Sequence, residues 1–498
     1  MSKFSGILIA FIMLILIVGC GGGSSTPPPP PTPTPGQVFP NDTASAQSAP
    51  VKLGTSGGNN GDIGTTFCCI GTLGSLWTRP DVARPVILSN NHVLDKSDAG
   101  APGDAIIQPL QAICRVGHPV PLTIALLTQA AKLKPAANEP GACGSSTAPL
   151  CGHAPSNVDA AIAEIVAGQV DPSGTILDLG PVGTTNISPA PPSSQIAAPA
   201  INQAVSKAGR TSGLTCSAVN SINSDIQVDY DSSCGGAKAF TAIFRGQVMI
   251  NGGSFSASGD SGSLVVTTDT SRPVALLYGG NSVSTVANPL LDTRDSNGLV
   301  APGVITAFTN ASGPLTIVGG PDHAVSCAQT ATAGSTQVGT TQAALIPRER
   351  QRVTAVQQRR ASALVRDFGF ASVEVGASAD NPAEGALLLH VSGKSVPAIP
   401  AVIDGVRTRL IFDDAAVAGK VTASQGMIDR ALAAKDAHVA DFMGHPGIQG
   451  VGVSISSDNP AEGAVSIFVI QGVAHPAIPA VIDGVRTRIF EGDRFRAY

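Results

Sequence analysis

The stretch Gly259-Asp260-Ser261-Gly262-Ser263-Leu264-Val265-Val266 joins a glycine-rich turn to an apolar strand. Glycines on both sides of an Asp-Ser pair predict a tight turn that presents the Ser261 hydroxyl. In such a turn the backbone N–H groups of Gly259 and Ser261 converge on one point, where they can stabilise a developing negative charge. The sequence therefore makes Ser261 a candidate nucleophile, and Gly259 and Ser261 the candidate oxyanion donors.

Two upstream motifs place a histidine and an aspartate beside apolar runs. His92 follows the run Ile-Leu-Ser-Asn-Asn, and Asp159 precedes the run Ala-Ala-Ile-Ala. A histidine that titrates near neutrality can take the Ser261 proton, and an aspartate can hold the far ring nitrogen. The chain order His, Asp, Ser differs from the orders of α/β-hydrolases and subtilisins. His92, Asp159 and Ser261 are therefore predicted to form a catalytic triad.

These motifs resemble those of trypsin-like serine peptidases. Three further strings are similar to bacterial relatives of the plant narrow-leaf protease family: KAGRTSGLT at 207–215, LLYGG at 276–280 and ANP at 287–289. The resemblance covers roughly residues 50 to 320. It implies a mainly β fold, a double antiparallel β-barrel with the active site between the barrels, and endopeptidase activity that needs no cofactor.

The same resemblance implies a primary specificity pocket. In trypsin-like enzymes this pocket is walled by the segment before the nucleophile and by the strand after it, which here supply Phe255, Tyr278, Gly279 and Gly280. Residues 254–258 contain no acid that would attract lysine or arginine. The pocket is therefore predicted to be small or apolar, with the alternative that the two aromatic residues belong to the strand core.

The N-terminal residues predict export and a lipid anchor. Lys3 precedes an apolar run that ends in Ile17-Val18-Gly19-Cys20, and this ending resembles a bacterial lipobox. The resemblance implies a signal peptide at 1–19 and lipidation of Cys20; the alternative is an uncleaved anchor, for which the run is short. Residues 20–50 are proline-rich and predict a disordered tether. The predicted location is the bacterial cell envelope, at the outer membrane or cell surface.

A lipid-bearing N-terminus also bears on activation. Many trypsin-like zymogens mature when a newly cut N-terminus inserts into the protease body, and a lipidated chain cannot do this without further cleavage. The sequence therefore predicts an enzyme that is competent without that step.

Nine cysteines suit an oxidising compartment. With Cys20 assigned to lipid, the remaining eight predict up to four disulfides. Two local pairs are predicted, Cys143 with Cys151, and Cys216 with Cys234 across an expected hairpin. No Cys-x-x-Cys pair has histidines nearby, so no metal site is predicted.

Composition limits the class of protein. Charged residues make up only 13% of the chain, and 56 glycines and 38 prolines favour short strands and turns over long helices. The net charge of −5 carries no basic footprint, so nucleic acid is not a predicted partner. The protease domain is predicted at 51–327, and a small polar linker at 328–340.

An internal repeat follows the linker. DNPAEG at 380–385 recurs at 458–463, and PAIPAVIDGVRTR at 397–409 recurs at 476–488. The pattern predicts two small α/β modules with antiparallel sheets, at 341–415 and 416–498. The acidic residues of the repeats are predicted to be turn residues rather than ligands; they are Glu384, Asp404, Glu462 and Asp483.

Two hypotheses fit the repeats. They form a folding or inhibitory element that contacts the protease domain within the molecule and is cleaved at the linker, or they form a permanent binding platform. For the whole chain the leading prediction is a lipid-anchored serine endopeptidase that acts on proteins or peptides. The alternative is a catalytically silent surface protein that keeps the protease fold as a binding module.

Overall fold

The computed structural model describes residues 42–62, 69–109, 121–133, 158–181, 187–231, 236–327, 345–392 and 398–498. The chain is mainly β, as the sequence predicts. The predicted signal peptide, Cys20 and most of the tether lie outside these ranges, as do Cys143, Cys151 and Cys234. Within the described ranges, no helix has the length and apolar character needed to cross a membrane.

Sixteen strands and two short helices precede the repeats in the described residues. The strands are β1 Thr55–Asn59, β2 Gly71–Leu73, β3 Ser75–Thr78, β4 Val86–Ser89, β5 Ala105–Gln108, β6 Leu122–Ala130, β7 Ala161–Ile165, β8 Ala204–Gly209, β9 Gly213–Asp231, β10 Lys238–Asn251, β11 Leu264–Thr267, β12 Pro273–Gly280, β13 Ser284–Pro289, β14 Thr293–Arg294, β15 Val300–Ala301 and β16 Thr316–Ile317. The helices are α1 Asn91–Leu94 and α2 Val304–Ala307.

Fourteen of these strands form two antiparallel sheets with the candidate site residues between them, and the other two, β14 and β15, pair only with each other. The first sheet has the order β16-β3-β4-β7-β6-β5-β1-β2. The second has the order β10-β13-β12-β11-β8-β9, and β9 also pairs with β10, so these six strands close into a ring. The apolar runs beside His92 and Asp159 form β4 and β7, which pair with each other and bury nearly every residue.

The repeats add nine strands and three helices to this part of the molecule. In the first repeat the elements are α3 Pro347–Phe368, β17 Val373–Ala377, β18 Gly385–Val391, β19 Val402–Ile403 and β20 Val406–Phe412, followed by α4 Ala415–Ala418. In the second they are α5 Gln425–Met443, β21 Ile448–Ile455, β22 Gly463–Ile470, β23 Val481–Ile482 and β24 Val485–Gly492, followed by β25 Arg496–Ala497.

The sheets of the repeats differ from the predicted antiparallel arrangement. β18 pairs with β20 in parallel, and β22 pairs with β24 in parallel. The reason is local. The Asp-Gly turns at 404–405 and 483–484 have positive φ at both residues and reverse the chain between a short strand and a long one. The long strand thereby returns in the direction of β18 or β22, and each sheet is mixed.

The second repeat continues the second sheet of the preceding residues. β21 pairs with β9 in antiparallel register, including Gly450 opposite Ile226. A side chain at Gly450 would lie 2.8 Å from the Ile226 side chain, so the glycine permits the close approach of the two strands. The second sheet therefore runs from the ring of six strands through β21, β22 and β24 to β23.

The two repeats contact each other through equivalent residues. The buried carboxylate of Asp458 accepts hydrogen bonds from Ser378 Oγ and from the Ala379 N–H, both at 2.6 Å. The carboxylate of Asp380 has the corresponding donors in the second repeat, Ser456 Oγ and the Ser457 N–H. Each repeat thus completes the Asp-Asn-Pro turn of the other.

The predicted Cys216–Cys234 disulfide is wrong, because Cys216 is bonded to Cys327, with a Cα–Cα distance of 6.0 Å. Cys216 lies on β9 opposite Ser206 of β8. The chain after β16 runs beside the strand ending at Thr267, where the Val325 N–H donates to the Thr268 carbonyl. This path brings Cys327 to Cys216 from a distant part of the sequence.

Candidate active site

The turn that carries Ser261 is held against the first sheet by Thr72 of β2. The Thr72 N–H donates to the Ser261 carbonyl (2.7 Å), and Thr72 Oγ1 donates to the Gly259 carbonyl (2.9 Å). Gly262 has a φ of +94°, and a Cβ there would lie 2.1 Å from Ser89 Oγ. Only glycine suits this position, because the backbone conformation is left-handed and the two sheets meet there.

A buried ion pair supports the same turn from the other side. Asp260 and Lys207 are both fully buried, with 3.3 Å between Lys207 Nζ and Asp260 Oδ2. The carboxylate also accepts hydrogen bonds from Ser212 Oγ and from three backbone N–H groups, those of Thr211, Ser212 and Ala257. A buried carboxylate needs such partners, and here they fix the backbone beside Ser261.

The predicted oxyanion donors are available. In the described part of the chain, the N–H groups of Gly259 and Ser261 donate no hydrogen bond, whereas those of Asp260, Gly262 and Ser263 are all engaged in backbone hydrogen bonds. Buried N–H groups without acceptors are rare in proteins. Two of them on one turn therefore suit a site that receives an oxygen atom from a ligand.

His92 and Asp159 are in direct contact. His92 Nδ1 lies 2.5 Å from Asp159 Oδ2, and the His92 backbone N–H donates to Asp159 Oδ1 (3.2 Å). The Asp159 backbone is fixed by Asn288, which accepts from its N–H and donates to its carbonyl. The carboxylate is fully buried, so it orients the imidazole ring with little competition from water.

Tyr230 is a third contact of this pair. Its hydroxyl donates to Asp159 Oδ2 at 2.8 Å, and its ring packs edge-on to His92 with 6.0 Å between ring centroids. Burial, followed by the Asp159 charge, raises the pKa of Tyr230 well above its ordinary value, so the hydroxyl stays a hydrogen-bond donor. The sequence does not reveal this role of Tyr230, because an aromatic residue on a strand carries no local sign of such a contact.

The other ring nitrogen of His92 faces a distant part of the chain. His92 Nε2 lies 3.0 Å from the carbonyl oxygen of Tyr498. Nδ1 faces the Asp159 carboxylate and Nε2 faces the Tyr498 main-chain oxygen, and because both oxygens only accept hydrogen bonds, the arrangement favours a proton on each ring nitrogen. The imidazolium form that it favours cannot accept the Ser261 proton.

The Ser261 hydroxyl is oriented accordingly. Ser261 Oγ donates to the carbonyl of Tyr278 at 3.0 Å and not to His92. The Tyr278 carbonyl also accepts the N–H of Tyr498, at 3.3 Å. Ser261 and His92 are therefore both linked to Tyr498, one through the Tyr278 carbonyl and the other directly, and they make no hydrogen bond to each other.

The electrostatics of the pair favour protonated His92. Burial lowers the pKa of His92, but the charge and hydrogen bond of Asp159, together with the Tyr498 carbonyl and the charge of Asp62, leave that pKa above its ordinary value. The imidazolium form is therefore stabilised while Tyr498 is in place.

Of the four predicted pocket residues, Tyr278 has its side chain in the core, whereas Gly279, Gly280 and Phe255 adjoin the last residues of the chain. The Tyr278 side chain is buried in the core against Phe244, with ring centroids 5.0 Å apart, which is the alternative that the sequence left open. Gly279 and Gly280 pair with Ala497 and Arg496. Phe255 is buried in a cluster of apolar side chains against which Tyr498 packs.

No cluster of three or more potential metal ligands occurs in the ranges that the structure describes. The arrangement of Ser261, His92 and Asp159 requires none for acyl transfer, since the groups for nucleophilic attack, proton transfer and oxyanion stabilisation are all side chains or backbone amides.

Comparisons with known proteins give fold likeness only. No protein-family model and no curated protein matches the chain. Similar solved structures are a glutamic acid specific serine protease described as using a histidine triad in substrate binding (17% identity, TM-score 0.28, 48% of this chain and 93% of that chain), Cellulomonas bogoriensis chymotrypsin (13%, 0.27, 48% and 91%) and Thermobifida fusca protease A (14%, 0.28, 48% and 90%).

These neighbours are chymotrypsin-fold serine proteases. Their TM-scores lie well below 0.5, so the chemistry of this chain is argued from its own residues. The relationship to the plant narrow-leaf family stays a prediction.

Proposed function

We propose that this protein is a serine endopeptidase that works through an acyl-enzyme. Ser261 Oγ attacks the carbonyl carbon of a peptide bond while its proton passes to His92 Nε2. The N–H groups of Gly259 and Ser261 stabilise the oxyanion. His92 then donates the proton to the leaving amine, and a water molecule, activated by the same histidine, releases the acyl group.

One observation carries this proposal. The buried His92–Asp159 contact, 2.5 Å between Nδ1 and Oδ2, and the turn of Ser261 with its two N–H groups without acceptors both adjoin Tyr498, which contacts His92 Nε2 and shares the Tyr278 carbonyl with Ser261 Oγ. A histidine and an aspartate placed only for stability would not need a nucleophile and free donors next to them. The coincidence of all these groups supports acyl transfer.

The Lys207–Asp260 ion pair supports activity without insertion of a new N-terminus. The buried Asp260 carboxylate next to the nucleophile already has an internal cation, Lys207, which no local sequence pattern indicates. An external ammonium group is therefore not needed to shape the turn.

We further propose that the protein is attached to the cell envelope through lipid on Cys20. The lipobox-like sequence and the proline-rich tether support this placement. Metabolic labelling with a radioactive fatty acid tests it: label that disappears in Cys20→Ala is expected, and equal labelling of both forms would contradict it.

Cleavage of a mixed peptide library, followed by mass spectrometry, tests the proposed activity. The expected result is a set of internal cleavages by the purified protein, which are absent with Ser261→Ala. If the wild type and Tyr498→Ala are both folded and neither cleaves any peptide, the result would favour the catalytically silent binding protein.

A further inference from the structure

Residues 493–498, which we call the cleft segment, lie between the active-site strand β12 and the long strand β9. On one side Ala497 and Arg496 pair antiparallel with Gly279 and Gly280. On the other side Arg496 pairs parallel with Asp229, and the Asp229 N–H donates to the Phe495 carbonyl at 2.9 Å. The segment is therefore a strand inserted into the candidate active site.

The direction of the cleft segment places Tyr498 next to the catalytic residues. Its N–H donates to the Tyr278 carbonyl, and its carbonyl lies 3.0 Å from His92 Nε2. Strand addition of this kind gives a peptide its main-chain hydrogen bonds and leaves its side chains to occupy pockets. Tyr498 thus stands where the residue on the acyl side of a cleaved bond would stand.

The Tyr498 side chain occupies a pocket that suits a phenol ring. Cβ at Gly280 would lie 2.3 Å from Tyr498 Oη and 3.0 Å from Cζ, so the missing side chain makes room for the ring. Tyr498 packs against the cluster that contains Phe255. Burial raises the pKa of Tyr498, and the nearby Ser256 side chain, whose hydroxyl is hydrogen-bonded to Thr285 Oγ1 at 2.6 Å, opposes this effect. The nearby Asp260 carboxylate is engaged with Lys207 and gives no charge for a basic residue.

Two further contacts anchor the cleft segment upstream. Phe495 is almost fully buried, and its ring meets Phe468 of the second repeat with centroids 5.7 Å apart. The Asp493 side chain accepts the Ser282 N–H at 2.8 Å, and its carbonyl accepts Asn281 Nδ2 at 2.8 Å. Counting back from the position of the cleaved bond, the sites for the first and fourth substrate residues are therefore both filled by aromatic side chains, those of Tyr498 and Phe495.

The occupied site is not set for reaction. The Tyr498 carbonyl receives its hydrogen bond from His92, whereas the N–H groups of Gly259 and Ser261 donate none in the described residues. The main-chain oxygen of Tyr498 lies outside the oxyanion donors, and protonated His92 cannot act as a base. The cleft segment therefore occupies the site in an arrangement in which Ser261 and His92 do not react.

We propose that the cleft segment is a substrate-like intramolecular inhibitor and that it identifies the substrate class. This inference rests on the proposed peptidase function. The substrates are peptides with tyrosine or another aromatic residue on the acyl side of the cleaved bond and an aromatic residue three positions before it. Such peptides reach the catalytic residues when the cleft segment leaves.

The experiment compares full-length protein with three variants. Tyr498→Ala removes the ring from the pocket, and Tyr498→Phe keeps the ring and loses the hydroxyl. Phe368→Ala is the control, because it removes a 40% exposed aromatic side chain from the first repeat. The readouts are the rate at which a fluorophosphonate labels Ser261, and kcat/KM for Phe-Arg-Ala-Tyr and Phe-Arg-Ala-Ala anilides.

The expected results are specific. Labelling is about tenfold or more faster in Tyr498→Ala than in the wild type, intermediate in Tyr498→Phe and unchanged in Phe368→Ala. We expect kcat/KM for the Phe-Arg-Ala-Tyr anilide to exceed that for the Phe-Arg-Ala-Ala anilide by about 100-fold. The substitution Gly280→Val, which narrows the pocket, is expected to remove this preference. The soluble hexapeptide Asp-Arg-Phe-Arg-Ala-Tyr inhibits Tyr498→Ala competitively.

Different results would contradict the cleft-segment proposal and the peptidase proposal. Equal labelling rates in all variants, or equal use of the two anilides, would overturn the cleft-segment proposal and leave the peptidase proposal standing. Folded protein in which Ser261 is unreactive in every variant would overturn the peptidase function and this inference with it.

Discussion

At the scale of single residues, the candidate triad could be predicted because each member lies in a local pattern. Ser261 stands in a glycine-flanked turn, and His92 and Asp159 adjoin the apolar runs of β4 and β7. Lys207, Tyr230 and Tyr498 could not be predicted, because their roles come from contacts across 53, 71 and 406 positions of sequence. No periodicity or spacing in the sequence predicts contacts between residues so far apart.

Tyr230→Phe tests whether the phenol positions the Asp159 carboxylate. Loss of the hydrogen bond to Oδ2 leaves more negative charge facing His92 and loosens the carboxylate. We expect kcat to fall about tenfold with little change in KM, and the acid limb of the pH profile to move to higher pH. A purely structural role would change stability without moving that limb.

The pH dependence of activity follows from the environment of His92. Burial is the largest single influence and lowers the pKa of His92, but the charge and hydrogen bond of Asp159, the Tyr498 main chain and the charge of Asp62 together outweigh it, so the pKa lies above its ordinary value. The base must be neutral, so activity falls as pH drops through this raised pKa.

In the pH profile of kcat/KM, we therefore expect the midpoint of the acid-side fall to lie above pH of about 6.5 in the wild type. In Tyr498→Ala this midpoint is expected at lower pH, because the substitution weakens the contact between His92 and the Tyr498 main chain. A pH profile of the two proteins with the tyrosyl anilide measures both values. A wild-type midpoint at lower pH than that of Tyr498→Ala would contradict the raised pKa of His92.

At the scale of elements, the turn before β11 depends on a charge that no local pattern reveals. Lys207→Met leaves the buried Asp260 carboxylate without its cation. We expect a loss of about 3–5 kcal/mol in the free energy of unfolding and loss of Ser261 labelling. Urea unfolding and fluorophosphonate labelling measure the two effects.

Arg84→Met is the matched control for Lys207→Met. Arg84 pairs with Glu164 at 3.4 Å on the surface, and its side chain is 52% exposed. A surface pair of this kind is worth less than about 1 kcal/mol, so stability and labelling are expected to stay near the wild-type values. Equal effects of the two substitutions would contradict the assigned role of Lys207.

The disulfide shows why element-level prediction from spacing fails. Cys216 and Cys234 are close in sequence and are predicted to bracket a hairpin, but Cys216 lies within the single strand β9, and a pairing is decided by which strands lie side by side. Here the residues after β16 return beside β8 and β9, and Cys327 reaches Cys216 across 111 positions. Strand order is a long-range property, so the sequence alone left it open.

At the scale of the whole molecule, the repeats could be recognised but not their placement. Identical strings at 397–409 and 476–488 predict equal local structure, and the helix–strand–strand order follows in both copies. The sequence does not say that β21 extends the sheet of β9, because strand edges pair through backbone groups that every residue carries. This pairing brings the cleft segment to the active site.

The contact between the repeats predicts a pH-dependent stability. Burial, followed by the charge of Asp380, raises the pKa of Asp458 to about 6. The folded state then binds more protons than the unfolded state between pH of about 4 and 6, so this group loses stabilising effect as pH rises through that window.

Asp458→Asn is expected to remove this dependence, which amounts to up to about 3 kcal/mol between pH 4 and pH 7. The measurement is the urea midpoint of wild type and variant at both pH values, with the difference between the proteins as the readout. A wild-type protein whose stability relative to Asp458→Asn grows as pH rises would contradict this sign.

Every role proposed for this protein depends on Ser261 being an activated nucleophile served by His92. The most direct measurement is incubation of the purified protein with a fluorophosphonate probe, followed by peptide mass spectrometry to locate the adduct. We expect a single adduct on Ser261 that forms faster in Tyr498→Ala and disappears in His92→Ala. Folded Tyr498→Ala protein without an adduct, or an adduct that persists unchanged in His92→Ala, would contradict it.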